Sequence, residues 1–296
     1  MKKVLVTGAS GFIAYHVIEN LINSNFDVLG VDLLEPEHPF EGCKYLKMDV
    51  VDLSEKELKG VDYIIHLACD TNIRNSIENP VSTTDNNLGI TIKLLSLATK
   101  LKIKKFLFPS TASMYGTNLI PWKEDMISDP GEPYSWQKIS IEYALKMWTS
   151  RYKLPTTILR LFQVFGENQR KDTAIAAFIN QKKNNKPITL IRSSEKSKFN
   201  TGRRDWIYVK DIAEAFKLSL ISNNTGKGEI INIASGKLIS VEEIAKTVGG
   251  EITFLPSRDY EVDDHLAEVT KAKEILNWEY KTDVIPWLKD YLKKNL

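Results

Sequence analysis

Short apolar runs alternate with longer amphipathic stretches through the first half of the chain. The runs are rich in Val, Ile, Leu and Phe and have the length of buried strands. They lie at residues 4–6, 27–32, 63–68, 106–109, 156–161 and 230–234. Apolar residues recur at helical spacing at residues 12–25, 86–100, 134–151, 241–248 and 270–276. Strands that alternate with helices predict βαβ units and therefore a parallel sheet.

The second half of the chain is less regular than the first. Its most polar stretch, residues 181–204, is rich in Lys, Asn and Ser and is interpreted as a loop-rich part of a second lobe. No internal repeat and no low-complexity linker interrupts the sequence. The pattern therefore predicts one α/β chain with two lobes.

Composition narrows the class of protein. The chain has 296 residues, of which 43% are hydrophobic, so it can bury a large core. Its 40 basic and 38 acidic residues leave a net charge of +2, which gives no global attraction to nucleic acid or acidic membranes. The two cysteines, Cys43 and Cys69, cannot form a disulfide framework and lack metal-ligand spacing. No signal peptide is recognised and no apolar run approaches ~18 residues, so a cytoplasmic protein without a membrane span is expected.

A glycine-containing loop follows the first predicted strand directly. Residues 7–14 read Thr-Gly-Ala-Ser-Gly-Phe-Ile-Ala, between a predicted strand and a predicted helix. Glycines let the backbone turn tightly and approach a pyrophosphate at the positive end of the helix. An ordinary strand–helix turn is the alternative, but Asp32 ends the second strand where a carboxylate accepts hydrogen bonds from the adenosine ribose. Because that carboxylate repels a 2′-phosphate, the pattern predicts NAD rather than NADP as the cofactor.

The opening Thr-Gly-x-x-Gly-Phe-Ile resembles that of the extended short-chain dehydrogenases/reductases of the NAD-dependent epimerase/dehydratase family, among them the UDP-glucose/UDP-galactose 4-epimerases. Asp-Val at 49–50 lies where that family contacts adenine, and His-Leu-Ala at 66–68 ends the strand behind the cofactor. Asn86 matches the family's structural asparagine, although the adjacent Asn87 leaves the register open. The resemblance implies an α/β fold with a doubly wound parallel Rossmann sheet. The NAD contacts that it implies are Gly8, Ser10, Gly11, Phe12, Ile13, Asp32, Asp49, Val50, Leu67, Ala68, Thr71, Asn86, Tyr134 and Lys138.

A Tyr-x-x-x-Lys motif at residues 134–138 lies near the start of a predicted helix. The spacing of four places Tyr134 and Lys138 on one helical face. A nearby ammonium favours the tyrosinate and lowers the phenol pKa, so Tyr134 is predicted to take a proton from a sugar hydroxyl. Residues 110–116, Ser-Thr-Ala-Ser-Met-Tyr-Gly, resemble the family's Ser-Ser/Thr-x-x-x-Tyr-Gly segment. The resemblance implies that Thr111 is the third catalytic residue and that Lys138 also bonds the nicotinamide ribose.

Two further segments resemble the family's substrate-binding motifs. Residues 160–166 match Arg-x-Phe-Asn-x-x-Gly, with Gln163 in place of the asparagine that holds the sugar or diphosphate. Residues 204–211 match Arg-Asp-x-x-x-Val-x-Asp, which makes Arg204 the expected clamp on the diphosphate and Arg258 a second candidate. Both arginines are equally compatible with surface positions. The implied substrate contacts are Asn72, Thr111, Ser113, Gln163, Arg204 and Arg258.

The residues after Thr111 discriminate among the reactions of this family. The resemblance implies Asp-Glu there in 4,6-dehydratases and a glutamate in decarboxylases, whereas this chain has Ala112 and Ser113. GDP-fucose synthases carry a cysteine at the position of Ala112. A sugar-nucleotide 4-epimerase, which moves a hydride from C4 to NAD and returns it to the opposite face, is therefore predicted. A 4-keto-sugar-nucleotide reductase with the same triad and a non-catalytic dinucleotide-binding regulator remain the alternatives.

The two predicted lobes are each built from two parts of the sequence. Residues 1–165 and 205–235 are expected to form the NAD-binding Rossmann domain, and residues 166–204 and 236–296 a smaller lobe that binds the sugar nucleotide. The resemblance also implies a homodimer, paired through the helix that contains the Tyr-x-x-x-Lys motif and the long helix before it. The apolar residues of these helices that are candidates for core or interface are Leu94, Leu95, Ile141, Leu145 and Trp148.

Overall fold

The computed structural model describes residues 1–257 and 262–295, so Arg258 lies outside the described residues. The described strands are β1 Lys3–Thr7, β2 Asp27–Asp32, β3 Cys43–Lys47, β4 Tyr63–His66, β5 Lys105–Thr111, β6 Thr156–Leu161, β7 Gln163–Phe165, β8 Ile188–Ile191, β9 Arg203–Tyr208, β10 Glu229–Ile233, β11 Leu238–Ser240, β12 Ile252–Leu255 and β13 Asp264–His265. The described α-helices are α1 Phe12–Asn23, α2 Ile73–Glu78, α3 Pro80–Lys100, α4 Pro133–Tyr152, α5 Ala174–Lys183, α6 Val209–Ile221, α7 Val241–Val248, α8 Thr270–Leu276 and α9 Val284–Asn295. Short 3₁₀ helices lie at Val50–Asp52 and Ala112–Tyr115.

Seven of the described strands form one parallel sheet in the order β10-β6-β5-β4-β1-β2-β3. The chain runs outward from β1 to β3 and then returns to place β4 on the other side of β1. This reversal sends the connections after β1 and β4 to opposite faces and leaves a crevice at the carboxyl edge, where open α/β sheets bind their ligands. The prediction of a doubly wound parallel sheet in an α/β fold is confirmed.

Helices cover both faces of this sheet, and each face has its own core. On one face α1 packs against α6, and Val17 and Phe216 are fully buried there. On the other face α3 packs against α4. Full burial of one such side chain stabilises the fold by about 1.5–3 kcal/mol. Of the apolar residues expected at the core or an interface, Trp148 is half-buried, and those buried in this second core are Leu94, Leu95, Ile141 and Leu145.

The remaining described strands belong to two smaller sheets. β11, β9 and β13 pair in that order and β7 also pairs with β9, whereas β8 pairs in parallel with β12. A third core, with Phe165, Phe178 and Trp206 among its buried residues, joins these strands to α5, α7 and α9. Part of the sequence expected in the smaller lobe lies elsewhere, because Ala272 and Leu276 of α8 pack into the core shared by β1 and α6. The division at residues 165, 205 and 235 stays a prediction.

Side-chain caps fix the starts of two helices that matter for the site. The Glu132 carboxylate accepts a hydrogen bond from the Ser135 amide at 3.0 Å, and Pro133 occupies the first position of α4, where its missing N–H costs nothing. The Ser240 hydroxyl accepts a hydrogen bond from the Glu243 amide at 3.0 Å at the start of α7.

Among the helices of residues 1–257 and 262–295, none combines the length and apolarity that a bilayer span requires.

Candidate active site

A cleft of about 710 Å³ lies at the carboxyl edge of the central sheet, beside the ends of β1, β4 and β5. The predicted cofactor contacts that line it are Gly8, Gly11, Phe12, Ile13, Asp32, Asp49, Val50, Leu67, Ala68, Thr71, Asn86, Tyr134 and Lys138. Of the predicted substrate contacts within the described residues, Thr111 and Gln163 line the cleft and Asn72, Ser113 and Arg204 do not. The structure thus brings most of the predicted residues into one cleft, and the roles assigned to them stay predictions.

The loop between β1 and α1 depends on Gly8. Its φ is +69°, and a Cβ placed there would lie 2.7 Å from the Ala68 amide nitrogen, which no side chain tolerates. The Gly11 amide donates to the Gly8 carbonyl at 3.0 Å and closes the turn. Among the described residues no side chain caps the start of α1. The positive end of this helix is therefore available to a pyrophosphate, and the loop fits a dinucleotide.

Asp32 ends β2 and is held in place by the backbone. One carboxylate oxygen accepts a hydrogen bond from the Ser10 amide at 3.0 Å, and the other accepts one from the Leu34 amide at 2.9 Å. Ser10 itself does not line the cleft, since its hydroxyl donates to the Leu34 carbonyl at 2.7 Å. A carboxylate oxygen has a second lone pair, so Asp32 can still accept hydrogen bonds from ribose hydroxyls. Ser10 thus orients the Asp32 carboxylate through its amide, and its own contact with the cofactor stays a prediction.

The two adjacent asparagines of α3, Asn86 and Asn87, have different surroundings. Asn87 is 1% exposed; its carboxamide accepts from the Asp70 amide at 2.8 Å and donates to the Gln137 side chain at 2.7 Å. This ties α3 to both the loop after β4 and helix α4. Asn86 instead lines the cleft and donates to the Asn87 carboxamide oxygen at 3.1 Å. Sequence left the register open by one residue. The structure buries Asn87 and turns Asn86 to the cleft, and the role of Asn86 in cofactor binding stays a prediction.

Tyr134 and Lys138 lie on the first turns of α4, and Thr111 lies at the end of β5. The Lys138 ammonium is 5.7 Å from the centre of the Tyr134 ring and 4.4 Å from that of Phe108. It donates a hydrogen bond to the Pro109 carbonyl at 3.0 Å. The three residues therefore meet at one wall of the cleft, where the start of α4 lies against the end of β5.

The pKa of Tyr134 moves opposite to the direction that the motif predicts. Burial raises it most, and the neighbouring Cys69 and Glu132 raise it further. A hydrogen bond with Thr111 and the positive charge of Arg170 lower it but do not reverse the shift. The motif's lysine donates to a backbone carbonyl instead of to the phenol. Burial therefore outweighs the positive charge of Arg170 in setting the pKa of Tyr134.

The end of the cleft near Gln163 includes two residues that the motifs did not indicate. Arg170 and Thr173, between β7 and α5, line the cleft beside Gln163. The Arg170 guanidinium donates to the Thr71 hydroxyl and holds Asp172 through two hydrogen bonds of 2.9 and 2.8 Å. The sequence indicated Arg170 only by its position, because it closely follows the 160–166 motif and lies within residues 166–204, which were expected in the lobe that binds the sugar nucleotide.

The 204–211 motif ties segments of the chain together. Asp205 is fully buried and accepts hydrogen bonds from the Ser235 and Gly236 amides, at 2.7 and 2.9 Å, and from Ala267 at 3.2 Å. Asp211 accepts from the amides of 281 and 282 at 2.9 and 3.0 Å. Arg204 donates to the carbonyls of 203 and 263, at 3.0 and 2.9 Å, and does not line the cleft.

Two other predicted substrate contacts have structural partners. The Asn72 side chain caps α2 by accepting a hydrogen bond from the Asn75 amide at 3.0 Å. The Ser113 hydroxyl lies 2.9 Å from that of Thr111, and this hydrogen bond helps to position the side chain of a cleft residue.

Within the part of the chain that the structure describes, no group of three or more His, Cys, Asp or Glu side chains is placed to hold a metal ion.

Comparison with known proteins connects this geometry to a family. The model of the NAD dependent epimerase/dehydratase family matches residues 4–234. The chain is 33% identical over 314 residues to a putative UDP-glucose 4-epimerase of Methanocaldococcus jannaschii. The alignment covers 97% of this chain and 98% of that protein.

Solved structures agree over the whole length. The UDP-glucose 4-epimerase of Thermotoga maritima, solved with UDP-glucose, matches with a TM-score of 0.89 at 28% identity over 99% of each chain. The UDP-glucuronic acid 4-epimerase of Bacillus cereus, solved with UDP-glucuronic acid and NAD, has a TM-score of 0.89 at 27% identity over 99% of this chain and 100% of that one. The matched residues, the shared fold and the glycine loop beside Asp32 lead to one assignment: the chain belongs to the NAD-dependent epimerase/dehydratase family.

Proposed function

We propose that this chain is an NAD-dependent 4-epimerase of a UDP-linked sugar. The observation that carries the proposal is the meeting of Thr111, Tyr134 and Lys138 in the cleft that begins at the glycine loop and Asp32. The similar proteins of known structure include 4-epimerases solved with NAD and UDP-sugars. The short segment after Thr111 offers no carboxylate for dehydration, since it reads Ala-Ser.

The residues of the cleft divide the chemistry between them. NAD, when bound, supplies the hydride acceptor and donor. Tyr134 takes the proton of the sugar C4 hydroxyl and returns it, and Thr111 donates a hydrogen bond to the same oxygen. The Lys138 ammonium, held by the Pro109 carbonyl, favours negative charge on the phenol when the base is needed. Gln163 and Arg170, on the sugar side, orient the substrate by hydrogen bonds.

Epimerisation leaves no net change in the oxidation state of the cofactor. Incubation with UDP-glucose or UDP-glucuronic acid and no added coenzyme should interconvert the C4 epimers without accumulation of NADH. The Tyr134→Phe variant is the control and should be inactive on the same substrate. Consumption of a 4-keto sugar only with stoichiometric NADH or NADPH would make the protein the alternative reductase, with the same three residues.

We also propose that the protein is a homodimer paired through α3 and α4. Their buried residues belong to the subunit's own core, but the outer face of the pair carries apolar side chains: Ile92, Trp136, Tyr143 and Met147 are 38%, 49%, 67% and 42% exposed. A second copy would remove this surface from water. Light scattering should give twice the 33.7 kDa of one chain. A monomer mass at micromolar concentration would contradict the proposal.

A cytoplasmic location is the third proposal. Cys43 and Cys69 are both free thiols and neither has a cysteine partner among the described residues. Free thiols are typical of a reducing compartment. Fractionation of the source cells should recover the protein with the cytoplasmic markers.

A further inference from the structure

The guanidinium of Arg170 is held from two directions. Its Nε and Nη2 donate to the two carboxylate oxygens of Asp172 at 2.9 and 2.8 Å. Its Nη1 donates to the hydroxyl of Thr71, in the loop that follows β4. Two parallel hydrogen bonds between a planar guanidinium and a carboxylate fix the orientation of the plane as well as its position. The head of this side chain is therefore anchored both in its own loop and across to the loop after β4.

The backbone of Arg170 is fixed by the start of α5. Its carbonyl accepts hydrogen bonds from the amide and the hydroxyl of Thr173, at 3.1 and 2.9 Å, and Thr173 is the residue directly before α5. Arg170, Thr71 and Thr173 all line the cleft. Protein groups alone therefore hold both the backbone and the guanidinium of Arg170 at the cleft.

These contacts leave part of the guanidinium for a ligand. A guanidinium has five N–H groups, and the hydrogen bonds to Asp172 and Thr71 use three of them. No acceptor within residues 1–257 and 262–295 takes the other two, which lie one on each terminal nitrogen. The side chain is 49% exposed and the residue lines the cleft, so a ligand can reach it. N–H groups on two nitrogens of one plane suit two oxygens of a single oxyanion.

The distribution of charge in the cleft favours the same assignment. Of the described residues that line it, Lys138 and Arg170 carry the positive charges. The Lys138 ammonium donates to the Pro109 carbonyl and lies 4.4 Å from the centre of the Phe108 ring, so protein groups already engage it. Arg170 lies at the other end, near Gln163, and is therefore the cation that an anionic group of the sugar nucleotide can reach.

We propose that Asp172 and Thr71 are positioning residues that hold Arg170 in the orientation in which it binds an oxyanion of the sugar nucleotide. The proposal rests on the proposed function, which supplies two such groups: the diphosphate and, in a UDP-linked uronic acid, the carboxylate of the sugar. Asp172 and Thr71 act on the substrate through Arg170. Because the guanidinium is already oriented, binding does not have to order a long, flexible side chain, and the affinity is higher for that reason.

Calorimetric titrations of the NAD-saturated protein with UDP, UDP-glucose and UDP-glucuronic acid test the proposal, in a Tyr134→Phe background that prevents turnover. Arg170→Ala should weaken binding about 10-fold and Asp172→Asn about 5-fold, through loss or misplacement of a charged donor. Asp172→Asn added to Arg170→Ala should cause no further loss, since both act through one guanidinium. Equal losses for all three ligands identify the diphosphate as the oxyanion. Losses confined to UDP-glucuronic acid identify the sugar carboxylate.

A purely electrostatic role of Asp172 predicts the opposite sign. Removal of a negative charge beside an anion site would by itself tighten the binding of an anion. An Asp172→Asn variant that binds as tightly as its parent or more tightly would therefore overturn the proposal, and so would a further loss in the double variant. Asp283→Asn is the matched control and should bind normally, because Asp283 is a 51% exposed carboxylate paired with Lys237 at 3.0 Å outside the cleft lining.

Thr71 allows a test by conservative replacement. Thr71→Val keeps the shape of the side chain but removes the acceptor, so it should weaken binding about 3-fold, whereas Thr71→Ser keeps the hydroxyl and should restore it. Equal affinities of the two variants would remove Thr71 from the proposal. With Tyr134 intact, Asp172→Asn should raise KM more than it lowers kcat, as expected for a residue that positions a binding group.

The titrations do not depend on turnover, so they separate this inference from the epimerase assignment. A protein that binds none of the three ligands would overturn both. Binding that Arg170→Ala and Asp172→Asn leave unaltered would overturn the role of these residues even if epimerisation is observed. Weaker binding in both variants would support that role even if the protein proves to be a reductase.

Discussion

The two ends of the cleft are assembled in different ways. At the cofactor end, Gly8 follows β1 and Asp32 ends the adjacent β2, and the Ser10 amide joins the two loops by its hydrogen bond to the Asp32 carboxylate. At the sugar end, Arg170 reaches Thr71, 99 residues away in sequence, and Gln163 lies on a strand of a different sheet. The first end is specified by a short, local pattern. The second depends on how distant segments pack, so a sequence motif describes it less completely.

Tyr134 lies between the two ends of the cleft, and its substitution should lower kcat more than any other substitution considered. Tyr134→Phe keeps the ring in place and removes the proton acceptor, so kcat should fall by roughly 10²–10⁴-fold. NAD affinity and KM should change little, because other residues hold both ligands. Steady-state kinetics measure this, with Tyr143→Phe, 67% exposed on the same helix, as the control. Activity within a few-fold of the wild type would show that another group is the base.

Gly8→Ala tests whether the cofactor end is as local as its geometry indicates. The added Cβ would lie 2.7 Å from the Ala68 amide nitrogen at a φ of +69°. Overpacking of this kind costs on the order of 1–3 kcal/mol, and NAD affinity should fall roughly 10-fold or more because the loop must move. Calorimetric NAD titration and thermal unfolding measure the two effects. Gly89→Ala, where nothing lies within 4 Å of the added Cβ, is the control and should bind NAD normally.

Asp32 is expected to determine which coenzyme binds. Replacement by serine removes the carboxylate that faces the ribose, which should weaken NAD by about 1–3 kcal/mol and lessen the repulsion of NADP. Titration with both coenzymes gives the ratio of the two affinities. Asp52→Ser, an exposed carboxylate on the nearby 3₁₀ helix, should not alter it. A wild-type protein that prefers NADP would refute this role of Asp32.

Arg170→Ala should have a smaller effect, confined to the sugar end. Loss of a charged hydrogen-bond donor should raise KM for the UDP-sugar roughly 10-fold, with NAD affinity unchanged. Because its positive charge lowers the pKa of Tyr134, against Cys69 and Glu132, the variant should also need a higher pH to reach half of its maximal kcat. Arg151→Ala, an exposed arginine late in α4, is the control. A change in NAD affinity instead of KM would mean that Arg170 acts on cofactor binding, so that the cofactor end and the sugar end of the cleft do not bind their ligands independently.

Periodicity predicts the elements whose apolar face is unambiguous. The boundaries of β2, β6, α7 and α8 agree with the pattern residue for residue. α3 begins at Pro80, six residues before the predicted start, because its first turns carry Ser, Thr and Asp that obscure the helical pattern. Residues 188–191 form β8 inside a stretch interpreted as loop-rich. Only two of the four residues of β8 are buried, and polar residues flank it on both sides. Its apolar run is therefore too short to indicate a strand in the sequence.

The same limit applies to the candidate site. A motif identifies residues that act through fixed local spacing, as the Tyr-x-x-x-Lys pair does on one turn of α4. It does not identify Arg170, whose place in the cleft depends on a contact with the loop after β4. Nor does it show that Asn87 rather than Asn86 is buried, or that Lys138 bonds a carbonyl. These depend on tertiary packing, which no single-sequence pattern contains.

The two aspartates of the 204–211 motif also constrain the order in which the chain can fold during synthesis. Asp205 and Asp211 are satisfied by backbone amides at 267, 281 and 282, and Trp278 completes the core beside β1. A nascent chain that has released only its first 235 residues leaves Asp211 without the amides of 281 and 282, Asp205 with its Ser235 contacts alone, and the apolar core open. The central sheet therefore cannot reach its final stability until these late residues have emerged and packed against it.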